Sequence, residues 1–268
     1  MESSSATTSS ESFQQVFDRL RAHQRAALVP YLTAGFPDRS ESLAALRAAD
    51  QRADIIEVGV PFSDPVADGP TIQRSSHRAL AGGMTLPGAL ALVREAGLAS
   101  PVVLFTYLNP VLAYGPDRFL ADARDAGIRG LLLTDLPVDG DPALEAAVAA
   151  SPIDLIRLVA PTTTPARLDR IAATARGFVY LIGRLGVTGA RRDLASDLAS
   201  QVARVRARVP VPVAVGFGIA TAEQAHAVAQ LADAVVVGSA VVERLDTDGV
   251  EGMSRLLSSF HDAMERAA

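Results

Sequence analysis

The sequence predicts a single (β/α)8 barrel of the TIM type with one extra helix ahead of it. Three observations lead there. Eight short runs rich in β-branched residues alternate with stretches whose apolar residues recur at helical spacing. The chain has 268 residues, 49% of them hydrophobic, which is the usual length for such a barrel and enough to bury a large core. No Pro/Gly/Ser-rich linker divides it. Strand–helix alternation implies a parallel sheet with helical crossovers, and eight units at this length favour a closed barrel over an open doubly wound sheet.

Residues 1–12 are polar and Ser/Thr-rich, with neither a basic nor an apolar signal region, and are expected to be disordered. A helix over 11–25 would flank or plug the barrel's N-terminal face. Residues 13–268 are then read as one domain. Its strands fall at 27–33, 54–60, 101–107, 129–134, 154–160, 178–183, 211–216 and 233–238. Such near-continuous apolar runs suit strands covered on both faces. The helices fall at 40–50, 85–97, 116–126, 141–150, 164–175, 193–208 and 221–231, each opened by Ser, Thr, Pro or Asp. No stretch is long and apolar enough to span a bilayer, so a soluble, cytoplasmic protein is expected.

Composition narrows the chemistry. There is no cysteine, which removes thiolate nucleophiles, disulfides and zinc–thiolate sites. There is no lysine either: all 25 basic residues are arginine, and a guanidinium cannot form a Schiff base. The four histidines, His23, His77, His226 and His261, stand alone on helical segments, and no pair has metal-ligand spacing. No metal is expected. The net charge of −5 with well-mixed signs argues against a nucleic-acid or membrane surface. Catalysis must rest on carboxylates, hydroxyls and backbone amides.

Residues 54–73 carry the strongest signal. Glu57 interrupts an apolar run, which then breaks at Pro61 into a loop bearing Asp64 and Asp68. A charge buried in a strand costs several kcal/mol unless it is paired. Glu57 also sits near the strand's C-terminal end, where barrels place their chemistry. The alternative is a structural carboxylate held by an arginine. Strand alternation puts Ile55, Glu57 and Gly59 on one face, and Gly59 leaves room above the carboxylate.

The loops after the seventh and eighth strands carry Gly216, Gly218, Gly238 and Ser239. Glycines allow close backbone approach to an anion, and helix-start N–H groups can bind it. Thr221 is the expected cap of the helix after strand seven, and a short helix is expected to open at Ser239. Phosphate binding is the reading, against simple turn geometry. The sixth connection, running from Tyr180 to Arg192, is glycine- and arginine-rich and suits either a mobile lid or a solvated loop.

Several ordered motifs make the chain resemble the tryptophan synthase α-subunit family from about Phe13 onward. They are Pro30–Pro37, Glu57–Gln73, Tyr107-Leu-Asn-Pro110, Thr134-Asp-Leu-Pro137, Ala160-Pro-Thr-Thr163, Gly186-Val-Thr-Gly189, Gly216-Phe-Gly218 and Gly238-Ser239. The resemblance implies retro-aldol cleavage of indole-3-glycerol phosphate to indole and glyceraldehyde 3-phosphate. It implies no cofactor in this chain, and a β-subunit partner that carries pyridoxal phosphate in an α2β2 complex. Glu57 and Asp68 match the family's catalytic carboxylates, and Tyr180 an active-site tyrosine. Thr188 matches the lid threonine that orients the aspartate. Tyr31 and Tyr107 match pocket positions, while Gly189, Gly216, Gly218, Gly238 and Ser239 match the phosphate site. Pro61, Asp64, Asn109 and Pro137 match the partner-facing rim. Gly183 stands where many members carry serine, with Leu185 nearby, a departure that bears on the lid.

Other readings are a free-standing indole-glycerol-phosphate lyase, another phosphate-binding barrel enzyme, or a regulatory subunit. The second lacks its usual lysine or histidines. The third would not need Glu57 and Asp68 together.

Overall fold

A computed structural model of the chain describes residues 11–183, 191–216 and 218–265. Eight parallel strands close in sequence order into a barrel: β1 (Ala27–Thr33), β2 (Ile56–Gly59), β3 (Val102–Thr106), β4 (Ile128–Leu133), β5 (Asp154–Val159), β6 (Val179–Ile182), β7 (Val213–Gly216) and β8 (Ala234–Val237). Seven lie within their expected runs, and β4 starts one residue ahead of its run, at Ile128. β8 returns to pair with β1, so no edge strand is left.

Strand alternation sorts the core into two shells. Inside the barrel, Ala27, Val29, Ile55, Val103, Leu132, Ile156, Ala214, Ala234 and Val236 pack together. Outward residues such as Leu28, Ile56, Leu104, Leu131 and Val235 pack against the helices. The expected extra helix is α1 (Phe13–Ala22), which starts with a capping box between Ser12 and Gln15. Ser12, the last residue of the expected polar leader, is therefore a helix cap. Phe13 and Phe17 of α1 meet Phe178 edge-on, with centroids 5.4 and 5.9 Å apart. Gly130 is cut to fit that plug, because a Cβ there would press on Phe13 and Val103 at about 3.0–3.1 Å. α1 thus fills the N-terminal mouth and leaves the opposite end for a site.

The crossover helices α2 (Arg39–Asp50), α4 (Leu86–Ala96), α6 (Pro116–Asp125), α7 (Pro142–Ala149), α8 (Pro165–Thr174), α9 (Arg191–Arg206) and α10 (Ala222–Ala229) fall where helical spacing put them. Two more were not expected: α3 (Pro70–Ala81), directly after the Asp68 loop, and α5 (Leu108–Tyr114). The short helix expected at Ser239 is instead the start of α11 (Ser239–Asp262), two helical stretches joined across Gly249, whose φ is +64°. Only glycine adopts that angle at no steric cost, so the chain turns there and packs a second stretch on β1 and α2. Among the described residues no helix is long and apolar enough to cross a membrane.

Candidate active site at the C-terminal mouth of the barrel

Glu57 is on β2, in register with Tyr31 of β1 and Val103 of β3, and is 2% exposed. Asp54, three residues earlier, shows how this chain treats a structural carboxylate. Arg25 bonds it at 2.8 Å and the Leu28 N–H donates to it at 2.9 Å. The buried Arg157 of β5 is likewise paired, with Glu145 of α7. Glu57 has no such arrangement. Among the described residues neither a cation nor a hydrogen-bond donor holds its carboxyl. Burial, then the nearby Asp68 charge, pushes its pKa up to about 8. The arginine-paired alternative is therefore set aside for the described residues.

Asp68 enters from the loop between β2 and α3. That loop is turned by the Asp68 N–H bonding to the Pro65 carbonyl at 3.0 Å, and Gln73 Nε2 donates to the Asp68 carbonyl at 2.9 Å. Pro70 at the first position of α3 needs no N–H partner, so the loop can pass straight into the helix. Tyr107 ties the loop to the barrel. Its hydroxyl accepts the Ala67 N–H at 3.1 Å and bonds the Asp68 carboxyl, while its ring lies 4.8 Å from that of Phe62. Partial burial raises the Asp68 pKa to about 6, against the lowering effect of Tyr107. Burial, with the Asp68 charge next, raises Tyr107 to about 12.

Two tyrosines complete the floor in the same way. Tyr31 of β1 pairs with Glu57 and leans over Gly59, two residues further along β2. Tyr180 of β6 pairs with Ala214 and leans over Gly216, two residues further along β7. A Cβ at either glycine would overlap the tyrosine hydroxyl. The room above Glu57 is thus occupied by Tyr31, which also packs edge-on to Phe105 at 5.4 Å. Gly216 is also the seat of Tyr180, whose hydroxyl fills the space a Cβ would take. Burial is the largest cause raising both tyrosine pKa values, so both hydroxyls stay protonated.

The glycine loops differ in what they leave free. α10 is closed by a capping box: Thr221 bonds the Gln224 N–H, and Gln224 Oε1 takes the N–H groups of Ala220 and Thr221. α11 begins at Gly238 with no side-chain cap, next to the exposed Ser239. α11 starts directly after β8, so its first N–H groups lie at the same end of the barrel as Gly218, whose φ is +70°. Thr188 and Gly189 lie outside the described residues, as do Arg184 and Leu185. Of the expected rim, Asp64, Asn109 and Pro137 are exposed, whereas Pro61 is buried at the base of the loop. No group of three or more His, Cys, Asp or Glu among the described residues could hold a metal ion. Residue patterns alone had not singled out Thr33 and Ser75, both buried beside Tyr31.

Comparison with known proteins decides the family. The tryptophan synthase alpha chain profile matches residues 17–268. This chain belongs to the tryptophan synthase alpha chain family. A relative from Gluconacetobacter diazotrophicus is 48% identical over 94% of this chain and 95% of its own, and one from Synechococcus elongatus is 45% identical over 93% and 96%. A solved Mycobacterium tuberculosis tryptophan synthase chain superposes with a TM-score of 0.87 at 43% identity, covering 96% of this chain and 99% of that one. The tryptophan synthase alpha family cleaves indole-3-glycerol phosphate in tryptophan biosynthesis, a lyase reaction, and its α chain needs no cofactor of its own. The free-standing lyase is the less favoured reading.

Proposed function

We propose that this chain cleaves indole-3-glycerol phosphate through Glu57 and Asp68, acting as one acid and one base. The observation that carries the reading is the placement of the two carboxyls: Glu57 is buried on β2 with neither a cation nor a donor among the described residues, and Asp68, tied down by Tyr107, stands near it from the following loop. Near neutral pH, Glu57 holds a proton and Asp68 is ionised, which is the division of labour the reaction needs. Glu57 delivers its proton to indole C3, and Asp68 accepts a hydrogen bond from N1–H as positive charge spreads over the ring. The C3–C3′ bond then breaks, its electrons restoring the aromatic ring. Glu57 takes the proton from the C3′ hydroxyl as the aldehyde forms. Each positioned proton transfer is worth about 10²- to 10⁴-fold. No amine or thiolate is needed, in keeping with a chain that has neither lysine nor cysteine.

Tyr180 is assigned to the active-site wall, and Tyr31 and Tyr107 to the pocket. The phosphate is assigned to the uncapped start of α11 at Gly238 and Ser239, with Gly218 opposite. Gly216 supports that site through Tyr180 and the course of β7. Thr188 and Gly189 are carried as lid and phosphate residues on the family motif. The working unit is read as one barrel domain over 13–268, in the cytoplasm.

A pyridoxal-phosphate β subunit is the proposed partner, in an α2β2 assembly that receives the indole. Val66 is 86% exposed and Leu112 43%, and both stand at the C-terminal mouth beside Asp64 and Asn109. Covering that apolar surface would order the loop that carries Asp68. Adding a β subunit is therefore expected to raise indole release by well over tenfold. Each decade requires only about 1.4 kcal/mol of preferential binding to the ordered form. Equal rates with and without the β subunit, under conditions where the complex forms, would contradict the partner reading.

A further inference from the structure

Behind Tyr31 lies a chain of buried hydroxyls. Thr33 Oγ1 is 3.4 Å from Tyr31 Oη and 2.7 Å from Ser75 Oγ, and Ser75 Oγ is 2.8 Å from the Ile72 carbonyl. Thr33 and Ser75 are 2% and 1% exposed, so water does not compete for these contacts. Three hydroxyls have three protons, and the chain can be filled in two directions. In one, Tyr31 donates to Thr33, Thr33 to Ser75, and Ser75 to the Ile72 carbonyl. In the other, Ser75 donates to Thr33 and Thr33 to Tyr31, which frees the Tyr31 proton for the pocket. Only hydroxyl rotations separate the two.

Tyr31 Oη is held where the chain's direction matters. β1–β2 register pairs the Tyr31 backbone with Glu57, its hydroxyl reaches over Gly59, the next inward position of β2, and its ring is fixed against Phe105. Facing Glu57 are Asp68 from the loop, Tyr31 from β1 and Tyr180 from β6, while β3 offers only Val103 and Phe105. None of these is a cation. A carboxyl that must give up a proton and then regain one would otherwise be stabilised in its neutral form alone.

We propose that Tyr31 is a positioning residue whose hydroxyl follows the protonation state of Glu57, donating to the carboxylate and accepting from the acid, with Thr33 and Ser75 as the reversible chain behind it. Contact is made on rotation of the Glu57 side chain or through one bridging water. The proposal rests on Glu57 as the acid–base group. It adds a reason for Thr33 and for Ser75, which lies on α3, the helix that continues from the Asp68 loop.

Variants that break the chain at different links should move Glu57 in opposite directions. Tyr31→Phe removes the donor to the carboxylate, so the Glu57 midpoint should rise by about one pH unit, a tenfold change in proton affinity. Thr33→Val takes away the other acceptor for the Tyr31 proton, which is then satisfied only by donating toward Glu57. The carboxylate is then favoured, and the midpoint should fall by about half a unit. Thr33→Ser keeps both directions and should leave it unchanged. The readout is a 13C-carboxyl NMR titration of the full chain, with the Glu57 resonance identified by its loss in Glu57→Gln. A rise with Tyr31→Phe, a fall with Thr33→Val and no change with Thr33→Ser support the relay. Shifts of one sign in the first two variants, or none, overturn it. Indole release by Glu57→Gln tests the acid–base reading separately, so the two failures are distinguishable.

Discussion

Replacing Glu57 with glutamine is expected to lower indole release by at least about 10³-fold while leaving the barrel folded and substrate binding nearly intact. The amide keeps the shape of a side chain that is 2% exposed, but it carries no transferable proton. Folding should not suffer, because no ion pair is broken: the carboxyl has neither a cation nor a donor among the described residues. Neutral glutamine also removes the cost of ionising a buried acid above its pKa. Thermal stability at pH 9 should therefore be equal to or above that of the unmodified chain. The same change at Asp54 would behave in the opposite way, since Arg25 would lose its charged partner there. Steady-state rates and a melting curve for Glu57→Gln check both halves. Loss of activity accompanied by a large drop in melting temperature would reassign Glu57 to structure.

Asp68→Asn should cost about 10²- to 10³-fold in kcat/KM, with the larger share in kcat. The asparagine carbonyl can still accept from Tyr107, and the turn onto Pro65 uses only the backbone, so the loop keeps its course. What disappears is the negative charge opposite N1–H. That charge matters most when the ring is protonated, so binding of the neutral ground state should change less. A rise in KM with kcat preserved would mean that Asp68 only holds substrate. Tyr107→Phe makes a useful contrast: it frees the Ala67 N–H and the Asp68 carboxyl without touching the charge.

Much of the fold was legible because a closed parallel sheet is buried on both faces, so each strand had to be a short apolar run bounded by helix caps. α3 was not legible. Its apolar positions are sparse, with Ile72 and Ala79 separated by Ser75, Ser76, His77 and Arg78, and the buried Ser75 bonds Thr33 of β1. α5 is one short helix with a proline inside it, which reads as a turn. The helix opening at Ser239 was expected to be short, but the chain only turns at Gly249, where φ is positive, and continues helical to Asp262. In the site, Glu57 was visible as a carboxylate inside an apolar strand. The link from Tyr107 to Asp68 was not, because it depends on how a loop after β2 meets the end of β3. Gly216 shows the same limit. As one of a glycine pair it reads as a phosphate turn, and only the pairing of β6 with β7 shows that Tyr180 also fills its Cβ space.

The pH dependence of kcat/KM for indole release tests the central claim most directly, because it reports the ionisations of the free enzyme and substrate. If Glu57 acts first as an acid and Asp68 as a base, the profile is a bell, falling below about 6 and above about 8. The two carboxyls interact, so the limbs belong to the pair. The substrate phosphate also ionises near pH ~6, which makes the alkaline limb the informative one. kcat/KM is expected to fall with a midpoint near pH 8, as Glu57 gives up the proton that indole C3 must receive. A rate that stays flat or rises between pH 7 and 9 would contradict it.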